Sequence, residues 1–147
     1  MLKPAAPAGN VCRMKVGKLL HTRYRVNDLE KTVSFYKDVL GLEEVRRHKS
    51  PRGSELVFMK TADSEELIEL CSFPSSGPVQ VQADLTHLAF QVDSLVEFEK
   101  HLAARGLKFS EPPTLKPGGG GFAFLDAPEG YEIELIERIS TPGSGGY

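Results

Sequence analysis

One pattern is written into this chain twice, and that duplication limits what it can fold into more than any other feature. The segment LLHTRYRVNDLEKTVSFYKDVLGLEE, from Leu19, returns in outline as DLTHLAFQVDSLVEFEKHLAARGLKF, from Asp84. His21 maps to His87 and Asn27 to Asp93 at one shared offset. Gly41 maps to Gly106, and the IEL of 68–70 to the IEL of 133–135, at an offset shorter by one. One residue lost within the second helix accounts for the change. The separation of His21 from Glu69 is accordingly that of His87 from Glu134, give or take this single deletion. A repeat of this length marks two supersecondary units that bury their apolar faces together.

Each copy reads as strand, helix and three strands. In the first strand, about 17–26, Leu20, Tyr24 and Val26 take one face and His21, Arg23 and Arg25 the other. Leu29, Val33, Tyr36 and Leu40 then recur at helical steps. Asn27 with Glu30 fits a capping box, and Gly41 supplies a left-handed stop. In the second copy Ser94 with Glu97, the stripe Leu95, Phe98 and Leu102, and Gly106 do the same work. Strands are expected at about 42–49, 54–60 and 66–72, with a turn at Ser50-Pro51-Arg52-Gly53, and again at about 107–111, 120–126 and 131–138. The expected class is α+β: two tandem βαβββ modules forming curved mixed sheets with the helices outside. Module one spans 17–73, the linker 74–83 is built on PSSGPVQ, and module two spans 84–138. Residues 1–16 and 139–147 read as flexible tails.

Period 2 also places the polar residues. Glu69 points away from Ile68 and Leu70, and Glu134 away from Ile133 and Leu135. His87 shares its face with Ala89 and Gln91, opposite Leu88, Phe90 and Val92. His21, Glu69, His87 and Glu134 thus lie opposite the helix-facing core, and on a curved sheet they are expected to converge. A single strand histidine is ordinarily structural, and a glutamate between Ile and Leu ordinarily solvated. Their retention in both copies points instead to ligation. Two imidazoles and two carboxylates suit Zn²⁺, Ni²⁺, Co²⁺ or Mn²⁺ and leave positions open for substrate. Such a site polarises a carbonyl, and a nearby glutamate can abstract the adjacent C–H proton. His48 and His101 read as surface residues.

The remaining classes are narrowed by composition. A net charge of -2 offers no electrostatic footprint for nucleic acid or an anionic membrane, and no apolar run is long enough to span a bilayer. Cys12 and Cys71 are too few and too far apart to frame the fold with disulfides. A reduced, cytoplasmic protein is expected.

These segments, with THLAFQVD at 86–93 and PEGYEIELIE at 128–137, resemble the vicinal oxygen chelate superfamily over about 17–138, and within it the compact bacterial form of glyoxalase I. The resemblance implies one divalent metal per site (Ni²⁺ or Co²⁺, otherwise Zn²⁺) held by His21, Glu69, His87 and Glu134. It implies conversion of the methylglyoxal–glutathione hemithioacetal to S-lactoylglutathione through a metal-held enediolate. Glu134 is then the base, and Glu69 a ligand and second catalytic carboxylate. It further implies a homodimer whose sites draw two ligands from each subunit. Arg25 matches an arginine that grips a glutathione carboxylate. Lys116, ahead of Gly118–Gly121, falls near a family basic residue that meets the other end of glutathione; read by itself, the same run is a flexible glycine-rich loop able to form a lid over the site. Cys71-Ser72-Phe73 stands where the family usually shows a glutathione-binding asparagine. The alternatives within the superfamily are a methylmalonyl-CoA epimerase, disfavoured by Glu69 and PEGYEIEL, and an extradiol dioxygenase, disfavoured by a fourth protein ligand. A metal-free antibiotic-binding module is disfavoured by the intact quartet.

Overall fold

The structure, a computed structural model, describes residues 14–139. Cys12 and most of both expected tails lie outside the described residues. Module one comprises β1 (His21–Arg25), α1 (Leu29–Asp38), β2 (Glu43–Lys49), β3 (Glu55–Lys60) and β4 (Leu67–Ser72). A single 3-10 turn at Pro74–Ser76 opens the linker. Module two comprises β5 (His87–Val92), α2 (Leu95–Ala103), β6 (Glu111–Leu115), β7 (Gly121–Asp126) and β8 (Glu132–Glu137). The sheets run β1-β4-β3-β2 and β5-β8-β7-β6, each with one parallel pair, β1 on β4 and β5 on β8. The duplicated α+β architecture is therefore the one the repeat predicts. No helix among the described residues is long and apolar enough to cross a membrane.

The alternation works as expected on both sheets. Tyr24, Val26, Ile68, Leu70, Ile133 and Leu135 join Leu29, Val33, Tyr36, Leu95 and Leu102 in one buried core between helices and sheets. Phe98 is only partly buried against that core, and Leu20, expected on the packed face, is 70% exposed at the start of the β1 ladder. Gly41 (φ +75) and Gly106 (φ +69) provide the left-handed stops.

Three local expectations are corrected. The α1 cap is Asp28, whose Oδ1 accepts from the Lys31 N–H, rather than Asn27. The Asn27 side chain pairs with both backbone groups of Val79 and so ties the linker down. The strand expected at 107–111 forms instead at Glu111–Leu115. Leu107 closes the helix end by donating to the Leu102 carbonyl, and Phe109 drops into the core. Pro112 and Pro113 are accommodated because β6 is an edge strand with an irregular register there. His101 is not a plain surface residue. Its Nε2 lies 2.9 Å from the Val39 carbonyl, linking α2 to the end of α1.

Module two also holds the other end of α1. Glu129, in the β7–β8 turn, accepts from the backbone N–H groups of Asn27 and Asp28 and from the Asn27 amide, each at 2.9 Å. Tyr131 donates to the Arg25 carbonyl (2.9 Å) and packs edge-on against Tyr24.

Candidate metal centre

The parallel pairing in each sheet decides where the polar side chains meet. Arg23 stands opposite Glu69 in the β1–β4 register, and Ala89 opposite Glu134 in the β5–β8 register. Each histidine lies two residues before that position on its strand, on the same face. His21 Nε2 is accordingly 3.2 Å from Glu69 Oε2, and His87 Nε2 is 3.1 Å from Glu134 Oε2. Each imidazole also meets a phenylalanine edge-on, His21 on Phe58 (5.7 Å, 85°) and His87 on Phe124 (5.6 Å, 88°). The two modules thus build the same pair with the same ring support.

Two ligands bound to one ion at about 2.0–2.1 Å, and separated by a right or tetrahedral angle, sit about 3 Å apart. Each imidazole–carboxylate pair has that spacing, so the donor set fits a borderline divalent ion. Within one chain the two pairs stay apart. Among the described residues no three His, Cys, Asp or Glu side chains are gathered as a metal would need. The two sheets are separate, so one chain presents two pairs rather than a four-ligand centre.

The pairs differ in their surroundings. Glu69 is buried (side chain 3% exposed) and is held by Arg23, whose Nε donates to Oε1. Glu134 is 21% exposed, and His87 is its side-chain partner among the described residues. Around Glu69 the same face of module one presents Arg23, Arg25 and Arg46, with the Arg46 guanidinium 4.3 Å above Phe58. Around Glu134 the matching face presents Glu111, Asp126 and Glu132. One face is basic and the other acidic.

The two expected substrate residues fall in different places. Arg25 donates to the Gly77 carbonyl and lines a cavity of about 170 Å³ with Phe73, Pro74 and Pro78. Lys116 is exposed at the β6–β7 hairpin. Lys116 N–H donates to the Gly120 carbonyl and Gly119 N–H to the Lys116 carbonyl, so the glycine run forms a hydrogen-bonded turn. Phe58 and Phe124 were not expected at the site, although their separation in the chain is the same as that of His21 and His87. That shared offset was the signal that could have found them. Arg23 was placed on the correct face without a role.

The model of the Glyoxalase/Bleomycin resistance protein/Dioxygenase superfamily matches residues 18–135. The chain belongs to that superfamily. Among members of this glyoxalase superfamily, the lactoylglutathione lyase of Neisseria meningitidis (serogroup A) is 32% identical over 88% of this chain and 97% of its own length. That of Haemophilus influenzae is 33% identical over 84% and 95%. Plant relatives are longer. The chain spans 37% of the probable chloroplastic lactoylglutathione lyase of Arabidopsis thaliana, at 32% identity over 85% of this chain. In structure, glyoxalase I from Zea mays superposes with a TM-score of 0.72 at 26% identity, over 85% of this chain and 46% of that one. The trypanothione-dependent glyoxalase I of Leishmania major gives 0.69 at 26%, over 83% and 87%.

Proposed function

We propose that the chain is a divalent-metal-dependent lyase of glyoxalase I type, acting as a homodimer on the hemithioacetal of a 2-oxoaldehyde, methylglyoxal, with glutathione. The observation that carries this reading is the duplicated imidazole–carboxylate pair, built with the same spacing and the same phenylalanine support in both modules of one chain. His21, Glu69, His87 and Glu134 are the ligands. A complete centre forms when the basic face of module one meets the acidic face of module two in a second copy. Charge complementarity supports that pairing, and a two-fold axis makes two such centres per dimer.

The bound ion, Ni²⁺, Co²⁺ or Zn²⁺, would supply Lewis acidity toward the two substrate oxygens. The chain's own residues do the rest. Glu134 removes the C–H proton beside the carbonyl and returns it to the neighbouring carbon, so the hemithioacetal becomes the thioester S-lactoylglutathione with no net gain or loss of atoms. Its carboxylate is paired through Oε2 with one imidazole among the described residues, which keeps the other oxygen for that transfer. Phe58 and Phe124 fix the imidazole planes. Arg25 offers its remaining guanidinium N–H groups to a glutathione carboxylate beside the Phe73 cavity, and Lys116 offers a charge further along the sheet. A buried thiol at Cys71, unpaired among the described residues, accords with a reducing compartment, the cytoplasm.

The test is metal analysis joined to an isomerisation assay on the methylglyoxal–glutathione hemithioacetal, for wild type and Glu134→Gln. Expected are one divalent ion per chain, loss of activity on chelation, and a fall in kcat of roughly a hundredfold or more in the variant with metal retained. Metal without turnover refutes the substrate, and undiminished turnover in Glu134→Gln refutes the base.

A further inference from the structure

Duplication leaves the two modules alike at His, Glu and Phe, yet they differ at the one residue that faces each glutamate across the parallel ladder. Arg23 faces Glu69, and Ala89 faces Glu134. The consequence is visible in the side chains. Arg23 Nε donates to Glu69 Oε1, so that only Oε2 remains turned to His21, and the carboxylate is buried beneath the pair. The Ala89 methyl group donates nothing, and Glu134 stays partly open to solvent with neither oxygen claimed by an arginine or lysine among the described residues.

We infer that Arg23 divides the labour between the two glutamates: it locks Glu69 as a one-oxygen ligand and thereby reserves proton transfer for Glu134. This rests on the reading of the quartet as a metal centre with Glu134 as base, and deepens it by making the asymmetry a property of residue 23. Arg23 acts through Glu69 and is a positioning residue. The physical reasons are two. A carboxylate with one oxygen in a charge-assisted hydrogen bond has lost the freedom to swing toward a substrate carbon. A guanidinium in contact with a ligand also sets a fixed positive charge beside the ion, which lowers divalent affinity by about tenfold even at water-like screening.

The charge therefore predicts a result that a merely structural role does not. Metal-stripped Arg23→Leu should bind Ni²⁺ or Zn²⁺ about tenfold more tightly in titration calorimetry, whereas loss of a structural clamp would loosen binding. Arg23→Lys, which keeps the charge, should bind as wild type. Transplanting the clamp with Ala89→Arg should weaken metal binding by about tenfold and lower kcat by about tenfold or more with KM little changed. Circular dichroism of the metal-free proteins identifies any variant that fails to fold, and Ala89→Lys replaces Ala89→Arg in that event. Arg23→Leu that stays dimeric in size-exclusion chromatography yet binds metal no tighter than wild type, or Ala89→Arg keeping full kcat, overturns the division of labour alone. Wild type that binds no metal overturns the reading beneath it.

Discussion

Replacing Glu129 with alanine removes the carboxylate by which module two holds the start of α1. Three N–H donors reach it at 2.9 Å, the backbone groups of Asn27 and Asp28 and the Asn27 amide, and the Thr32 hydroxyl stands at 3.4 Å. A hydrogen bond to a charged group contributes more than the net of about 1 kcal/mol usual for a neutral one, but Glu129 is only half-buried and water replaces part of the loss. A negative charge at a helix N-terminus adds about 0.5 kcal/mol. The expected cost of Glu129→Ala is about 2 kcal/mol, or about 6 °C in Tm for a domain of this size. Glu129→Gln, which keeps one acceptor oxygen, should cost about 1 kcal/mol. Urea unfolding and calorimetry of the metal-free protein measure both. If Glu129→Ala costs less than the roughly 1 kcal/mol of a single ordinary hydrogen bond, the reasoning is refuted, because α1 is then held by its own module. At its own start helix α2 is served within module two: the Leu95 N–H donates to Glu137 (2.8 Å), whereas Ser72 occupies the matching place on β4.

Leu70→Ala and Leu135→Ala, at equivalent and fully buried strand positions, should each cost about 2–5 kcal/mol in chemical denaturation. Gly121→Ala would set a methyl group 2.4 Å from the Thr114 carbonyl oxygen, and should cost about 1–3 kcal/mol with lost hydrogen-exchange protection along β6 and β7. Gly118→Ala nearby meets open space but needs φ +88, and should cost about 1 kcal/mol. The hydrogen bond from Arg47 holds the Glu30 carboxyl below its ordinary range. That contribution is complete above the unfolded carboxylate pKa and is lost as pH falls through the lower folded value. Both partners are largely exposed, so Glu30→Gln should cost only a few tenths of a kcal/mol near neutral pH and nothing in strong acid, as urea midpoints under the two conditions would show.

Legibility in the sequence followed the range of the interactions involved. Strand faces, helix stripes and the glycine stops depend on near neighbours in the chain, and these were readable. So was the pairing of His with Glu, because a duplication records long-range contacts as a repeated spacing. What could not be read depends on partners with no counterpart in the other copy. Asn27 looks like a cap until Val79 and Glu129 arrive from distant segments and leave that role to Asp28. Pro112 and Pro113 argue against a strand until the sheet order makes β6 an edge. His101 looks solvated until the end of α1 is laid against it. Alternation alone also leaves the meeting place of the quartet unspecified, because it assigns a residue to a face but does not say which two faces meet.

The separation of the two pairs has a consequence for mixtures of mutant chains. If a centre takes module one from one subunit and module two from the other, a chain lacking Glu69 and a chain lacking Glu134 are each inactive alone. Co-expressed, they form heterodimers in which one centre collects both defects and the other collects none. Two inactive proteins should then complement each other to half the activity of a wild-type dimer for each heterodimer formed, a behaviour closed to any enzyme whose site lies within a single chain.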